Sequence, residues 1–318
     1  MNTIPIVFAI DNNVVMQCGV TITSLLMNAK TETFYDIYIL CNQSQLSAAN
    51  RNSLFSAFEN NEKCNMSFMD VGEAFKDSEG LATGHITTAT YYRLAIPVLF
   101  PQFEKVIYAD VDMIFQQDLS DLYQSSLHSG DWVAAALDLA IDNKLFFRSE
   151  LPSKIGKSNK DYFNAGFLVM NVRQMREAGV MAEFDKHAKI KYDMNDQDVL
   201  NVVCKGHTQI LPSQYNFQPS HFANYMWRRE NPEIQFGDLL MQATLHYTGV
   251  HKPWNSLECV AADAWWHYYR MSPFYDDKVY FKYQYDQIEV CRNDFRNKKN
   301  KQLFTRILVN WKHEILGK

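Results

Sequence analysis

The chain has 318 residues, 47% of them hydrophobic and 14% aromatic, enough apolar material for one large α/β domain or two ordinary ones. The net charge of −5 argues against general nucleic-acid binding. No run of about 18 apolar residues predicts a transmembrane helix, and the start, MNTIPIVFAID, lacks a basic n-region and meets Asp11 too early for a signal peptide.

In chain order, the apolar, β-branched run Ile4–Ile10 predicts a first strand, and Asp11, Asn12 and Asn13 a turn. Val14–Ala29 has helical periodicity through Val15, Cys18, Ile22, Leu25 and Leu26. Tyr35–Cys41 predicts a second strand, Ser44–Asn60 a second helix with Ser44 as N-cap, and Cys64–Val71 a third strand. Strands alternating with helices imply βαβ units and a mostly parallel sheet. After a Gly- and Ser-containing loop, TTATYYRLAIPVLFP predicts a helix closed by Pro97 and Pro101. Val106–Phe115, Trp132–Leu139 and Tyr162–Val172 read as further strands, and Asn195–Cys204 as a short helix. Beyond Gly206 the pattern predicts mostly loops and short elements, with a small helical region near the C-terminus.

The six cysteines form no C-x-x-C pair and suggest no zinc ligand set, so reduced thiols and a cytoplasmic location are expected. The last 28 residues, from Cys291, carry eight Lys/Arg against two acidic residues, a net +6 that leaves −11 for the rest. From Leu303 onward Phe304, Ile307, Leu308, Trp311 and Ile315 share one helical face, with Arg306, Lys312 and Lys318 around it. This is the pattern of a helix lying on an anionic membrane, with a helix packing its stripe on the main domain as the alternative.

The stretch VIYADVDMIF places Asp110 and Asp112 inside an otherwise apolar strand, where an uncompensated carboxylate is costly. Ligands of open α/β sheets bind beyond the carboxyl ends of the strands. Asp11 and Asn13 after strand one should therefore face the same crevice as Asp110 and Asp112. Hard carboxylate oxygens there suit Mg²⁺ or Mn²⁺. The pattern alone also fits Asp110 as a helix cap and Asp112 as a solvated residue. LHYTGVHKPW adds His246, which can complete a two-carboxylate metal site or simply end a strand. Gly249 would let backbone N–H groups approach a phosphate, and Lys252 would supply countercharge.

Five stretches, IVFAIDNN, TTATYYRL, VIYADVDMIF, YFNAGFLVMNV with NDQDVLN, and HYTGVHKPW, together resemble the bacterial retaining glycosyltransferases of family 8, related to lipopolysaccharide galactosyl- and glucosyltransferases. They run in the family's order over roughly residues 4 to 255. The resemblance implies a GT-A fold, a Rossmann-like, mostly parallel sheet flanked by helices. Its catalytic domain is expected over 1–258, a helical extension over 259–290 and a basic amphipathic tail over 291–318. It implies a UDP-hexose donor (galactose or glucose), Mn²⁺ with Mg²⁺ as the alternative, and a glycan or lipid-linked acceptor. By position, Ala9, Asp11 and Asn13 meet the uridine, with Asp110 near the nucleotide. Asp110, Asp112 and His246 hold the metal, and Gly249 and Lys252 the diphosphate. Arg93 reaches the donor, and Asp138, Asn164, Asp196 and Gln197 surround the transferred sugar. His85 falls where the family contacts sugar or acceptor. Asn12 replaces a commonly acidic residue and is expected to face outward and matter little. Taken singly, Asn164 also fits a turn cap, Asp196 an N-cap and Arg93 a surface ion pair.

Because Gln197 is a poor nucleophile, front-face attack is expected, with Asp196 as a sugar anchor or competing nucleophile. Two other classes fit parts of the pattern: a haloacid-dehalogenase-like phosphohydrolase, which also places D-x-D after a strand, and a non-catalytic sugar-nucleotide-binding protein.

Overall fold

The computed structural model describes residues 2–72, 88–142, 151–158, 160–222 and 240–297. Its centre is a seven-stranded sheet built from β1 (Asn2–Ala9), β2 (Thr33–Cys41), β3 (Cys64–Asp70), β4 (Val106–Ala109), β6 (Val133–Leu137), β7 (Phe163–Met170) and β8 (Thr208–Leu211). A second, two-stranded sheet pairs β5 (Met113–Ile114) with β9 (Leu245–His246). The main order is β3-β2-β1-β4-β7-β6-β8. All neighbours are parallel except β7, which runs antiparallel to both β4 and β6. This is the expected mostly parallel sheet of the GT-A fold. β1 is buried from Ile4 to Phe8, and every residue of β7 is buried, because both strands have packed layers on both faces.

The order reverses between β1 and β4, so the crevice beyond their carboxyl ends is the switch point at which such sheets bind ligands. The antiparallel β7 brings its beginning, not its end, to that crevice: Phe167 lies opposite Ala109. Asn164, Ala165 and Gly166 thus arrive beside Asp110.

Helices α1 (Val15–Met27) and α2 (Ala48–Phe58) cover one face of the sheet, while β7 side chains of opposite orientation and the short helices Val172–Glu177 and Val180–His187 build a core on the other. α3 (Asn195–Val203) points its first turn at the crevice region. α4 (Ala262–Met271) and α5 (Asp277–Asn297) form a third cluster, rich in Trp and Tyr, over α1 and β5. There Trp265 stacks on Tyr269 with centroids 5.2 Å apart, and Trp266 on Tyr283 at 4.2 Å.

Several local expectations are corrected. The N-cap of α2 is Ser47, whose hydroxyl accepts from Asn50 N–H, and not Ser44. Ser44 instead donates to Asn42 in the preceding turn. Asn12 is exposed, as expected, and its Oδ1 accepts from Ser47 N–H and Asn50 Nδ2, both at 2.9 Å, tying the first turn of the chain to α2. An aspartate there would offer the same acceptor. The segment after the loop is a 3₁₀ helix, Thr88–Ala95, followed by one α-turn, Ile96–Leu99, which Pro97 opens rather than closes.

The run Val106–Phe115 is not one strand. It breaks at Asp110–Asp112 because α1 satisfies its backbone there. Thr21 Oγ1 is shared between Val111 O and Met113 O, at 2.8 and 2.9 Å, and Ser24 Oγ accepts from Phe115 N–H at 3.0 Å. Past Gly206 the chain is more regular than expected, since α5 alone has 21 residues. α5 includes the first residues of the basic tail, and the rest of that tail lies outside the described residues. Among the described residues, no helix is long and apolar enough to cross a membrane.

Candidate functional site

Asp110 leaves β4 with its N–H donating to Gly166 O at 2.8 Å. Its Oδ1 accepts from Tyr108 OH at 2.7 Å and pairs with Arg93 Nη2 at 2.9 Å, while Oδ2 faces His246 Nε2 at 3.8 Å. Asp112 divides its oxygens in the same way. Oδ2 accepts from Lys252 Nζ at 2.6 Å; Oδ1 is buried without a hydrogen-bond partner, 3.2 Å from His246 Nε2. Each carboxylate therefore has one oxygen held by protein donors and one turned toward the imidazole. Burial pushes the Asp112 carboxyl up, but Lys252 and then His246 overcome this and hold it well below the usual carboxylate range.

His246 reaches this point from β9, which pairs with β5: Met113 lies opposite His246, and Tyr247 N–H donates to Asp112 O at 3.0 Å. Its other nitrogen, Nδ1, lies 2.8 Å from Asn216 Oδ1. One atom of Asp110, Asp112 and His246 each can be chosen so that all three lie within 4.8 Å of one another. Gly166 borders the cradle: a Cβ there would lie 2.2 Å from His246 Cε1 and 2.9 Å from Asp110 Oδ2. Two carboxylates, one imidazole, an unpartnered buried oxygen and a glycine that lets the imidazole sit close beside Asp110 all fit a divalent cation such as Mn²⁺ or Mg²⁺.

Arg93 is 4% exposed and so is no surface ion pair. It spans two carboxylates, with Nε 2.9 Å from Asp196 Oδ2, donates to Ala165 O and Thr90 O, and stacks over the Tyr108 ring at 4.4 Å. Asp196 is 4% exposed and accepts from Thr90 Oγ1 at 2.8 Å. Burial, partly offset by Arg93, pushes its carboxyl up to about 6. It is not the N-cap of α3; that position is Met194.

The residues expected around the transferred sugar form a second buried group. Asp138 Oδ2 accepts from Asn164 Nδ2 at 3.1 Å and from Gln197 Nε2 at 2.9 Å, while Oδ1 accepts from Ala140 N–H. Gln197 Oε1 accepts from Ala165 N–H at 3.1 Å, and its Nε2 also reaches Tyr162 OH at 3.2 Å. Tyr162 OH donates to Asp198 Oδ1 at 2.6 Å; burial, then Asp198, push that phenol far above its ordinary value. Asn164 Oδ1 accepts from Gly166 N–H and from Asn216 Nδ2, both at 2.9 Å, which joins this group to Asp110, Asp112 and His246.

Nine expected positions are thus brought into one contact network: Arg93, Asp110, Asp112, Asp138, Asn164, Asp196, Gln197, His246 and Lys252. Ala9, Asp11 and Asn13 lie at the neighbouring strand end, where Asp11 Oδ1 accepts from Asn13 N–H at 2.8 Å and makes the turn. Gly249 has φ +83° in the loop after β9. His85 lies outside the described residues. Sequence reasoning missed Tyr108, Thr90, Tyr162, Gly166 and Asn216. Of these only Gly166, a glycine inside an apolar strand, carries a sequence signal, that of close approach by a neighbour.

The model of glycosyl transferase family 8 matches residues 5–258. A Haemophilus influenzae protein classed among the glycosyltransferases is 30% identical over 224 residues, which cover 69% of this chain and 64% of that relative's own length. The lipopolysaccharide 1,2-glucosyltransferase of Escherichia coli is 25% identical over 266 residues, 79% of this chain and 72% of its own. Among solved structures, the galactosyltransferase LgtC in complex with donor and acceptor sugar analogs superposes with TM-score 0.69 at 26% identity, covering 86% of this chain and 98% of that one.

Proposed function

The chain belongs to glycosyl transferase family 8 and is a glycosyltransferase; on that premise we propose that it moves galactose or glucose from a UDP-sugar to a glycan or lipid-linked acceptor of lipopolysaccharide type, with retention of anomeric configuration. The observation that carries this reading is the convergence of Asp110 Oδ2, Asp112 Oδ1 and His246 Nε2 at the switch-point crevice. A cation held there supplies Lewis-acid stabilisation of the diphosphate leaving group. The family match sets aside the phosphohydrolase reading of D-x-D and the non-catalytic one.

Lys252, tied to Asp112 and to Tyr247 O at 2.6 Å each, stands at the edge of the cradle and places positive charge where the departing diphosphate builds negative charge. The loop bearing Gly249 offers backbone N–H groups beside it. Asp11 and Asn13 hold the uridine, with Ala9 beneath. Arg93 keeps Asp110 and Asp196 apart and aimed. Asp138, Asn164 and Asp196 anchor sugar hydroxyls.

The hydrogen bonding favours front-face attack. Asp138 accepts from Asn164, Gln197 and Ala140 and so does not stand free as a nucleophile, while Asp196 accepts from Thr90 through Oδ1 and has its Oδ2, which carries no hydrogen bond, neutralised by the Arg93 charge. Gln197 is fixed at both ends of its amide and acts through its dipole beside the anomeric carbon. The proton of the acceptor hydroxyl then passes to the departing phosphate oxygen. Gln197→Ala is expected to lose about two orders of magnitude in rate, the scale of one preorganised polar contact, while keeping retained stereochemistry. A glycosyl adduct on Gln197 in intact-protein mass spectrometry would overturn this role, and one on Asp196 would favour double displacement.

The defining test is UDP release from a panel of UDP-hexoses with and without Mn²⁺. Release from UDP-galactose or UDP-glucose that EDTA stops is expected. No release from any UDP-hexose would sink the donor assignment.

Membrane association is the second element of the proposal. α5 exposes Phe281 (63%), Tyr285 (62%) and Ile288 (52%) at helical spacing, with Lys278 and Lys282 also exposed, and leads directly into the basic tail. Each Lys or Arg near an anionic surface contributes roughly 1 kcal/mol, so this end of the chain can hold the enzyme at the inner face of the cytoplasmic membrane. Full-length protein should sediment with anionic liposomes at low salt and be released by added salt. A chain ending at Asn297 should keep UDP-sugar turnover but bind them less. Indifference of the full-length protein to such liposomes would exclude the idea.

A further inference from the structure

Asn216 carries no signal in the sequence, and its side chain bonds to Asn164 and His246. It is fully buried and sits between the two polar groups of the crevice. Its place in the hydrogen-bond chain fixes proton positions one link at a time. A backbone N–H can only donate, so Gly166 N–H, 2.9 Å from the Asn164 side chain, makes the facing atom of Asn164 its oxygen. The other end of Asn164 is then the NH₂, which suits its neighbour, the Asp138 carboxylate at 3.1 Å. Asn164 Oδ1 receives a second donor 2.9 Å away, which must be the NH₂ of Asn216. That leaves Asn216 Oδ1 as an acceptor 2.8 Å from His246 Nδ1. The Nδ1 atom must carry the proton, and in the neutral ring Nε2 is then a bare lone pair directed at Asp110 and Asp112.

From this chain of contacts we infer that Asn216 is a positioning residue that locks His246 in its Nδ1–H tautomer and thereby presents Nε2 to a cation. The inference deepens the metal reading proposed above and rests on it for its purpose, though not for its observable. Without Asn216 the lowest-cost arrangement is the opposite tautomer. Nε2–H would donate to Asp112 Oδ1, the buried oxygen that otherwise has no partner at 3.2 Å. The ring would satisfy itself inside the cradle and withdraw its lone pair.

The test is long-range ¹H–¹⁵N correlation of ¹⁵N-histidine-labelled, EDTA-treated full-length protein at neutral pH, with His246 assigned by comparison with His246→Gln. The wild type should show a protonated Nδ1 and an unprotonated Nε2. That measurement needs no variant at position 216, so it stands even if one folds poorly. Asn216→Leu should move His246 toward the Nε2–H form and weaken Mn²⁺ binding, read by the free-ion electron paramagnetic resonance signal, by about 10- to 100-fold. Asn216→Asp keeps an acceptor for Nδ1–H and should bind Mn²⁺ more tightly than the leucine variant. A wild-type His246 protonated on Nε2, or an Asn216→Leu protein whose tautomer is unchanged, overturns the inference. Wild-type protein with the Nδ1–H tautomer but no Mn²⁺ uptake would support the lock and count against the metal reading alone.

Discussion

Asp112→Asn should lose about a hundredfold or more of metal-dependent turnover, the scale on which one preorganised electrostatic contact acts, and still fold. The reason lies in how Asp112 divides its two oxygens. The oxygen of the substituted amide can take the place of Oδ2 and keep the Lys252 ammonium, now 2.6 Å from Oδ2. The amide NH₂ then replaces Oδ1, 3.2 Å from His246 Nε2, and donates to that lone pair. The variant thus fills with an internal hydrogen bond the place where the cation reading requires an acceptor. A neutral hydrogen bond gained is worth about 0.5–1.5 kcal/mol and offsets much of the weakened Lys252 contact, so the melting transition should move little. UDP release and Mn²⁺ binding report the loss, and circular dichroism reports the fold. Near wild-type turnover by Asp112→Asn in EDTA would show that the two aspartates are tolerated for some reason other than a metal.

The same region shows what a sequence can and cannot reveal. The alternation of strands and helices up to Val71 is legible because each element keeps its own period and is bounded by turn residues. The break after Ala109 is not, because Thr21 and Ser24, some 90 positions earlier, supply the hydrogen bonds that let the strand end. The direction of β7 is hidden for a related reason: a strand buried on both faces has the same composition whichever way it runs. Ser47 rather than Ser44 caps α2 because Asn12 holds the Ser47 N–H, again a distant partner. Arg93 looks like a surface cation on an amphipathic segment until Asp110 and Asp196 are brought to it from two other elements. The acids, amides and the histidine of the site are legible through residue type and family pattern. Their supports are not, since Tyr108, Tyr162 and Asn216 are ordinary residues in ordinary stretches, and only the fold gives them partners.

Gly166→Ala tests the cradle from its other wall, and its effect should be as large as that of Asp112→Asn. The methyl group would lie 2.2 Å from His246 Cε1, 2.8 Å from Nδ1 and 2.9 Å from Asp110 Oδ2. The backbone has little freedom to retreat. Gly166 N–H is bonded to Asn164 and Gly166 O to Asp110 N–H, within a strand that is buried along its length. The imidazole must therefore move by about 1 Å, a displacement that costs on the order of a hundredfold when it misplaces a catalytic group. It must also leave Asn216, so its proton position is freed as its lone pair is turned aside. Overpacking of this kind costs about 1–3 kcal/mol of stability, read from the urea midpoint. A double-mutant cycle separates crowding from general damage. Gly166→Ala combined with His246→Ala removes the ring the methyl group strikes, so the pair should be less destabilised than the sum of the single changes. Turnover should stay low in the pair, because the proposed cation site also loses the imidazole. If Gly166→Ala alone keeps wild-type Mn²⁺ affinity and rate, the ring has room the structure does not show, and the close fit between β7 and His246 is not what shapes the site.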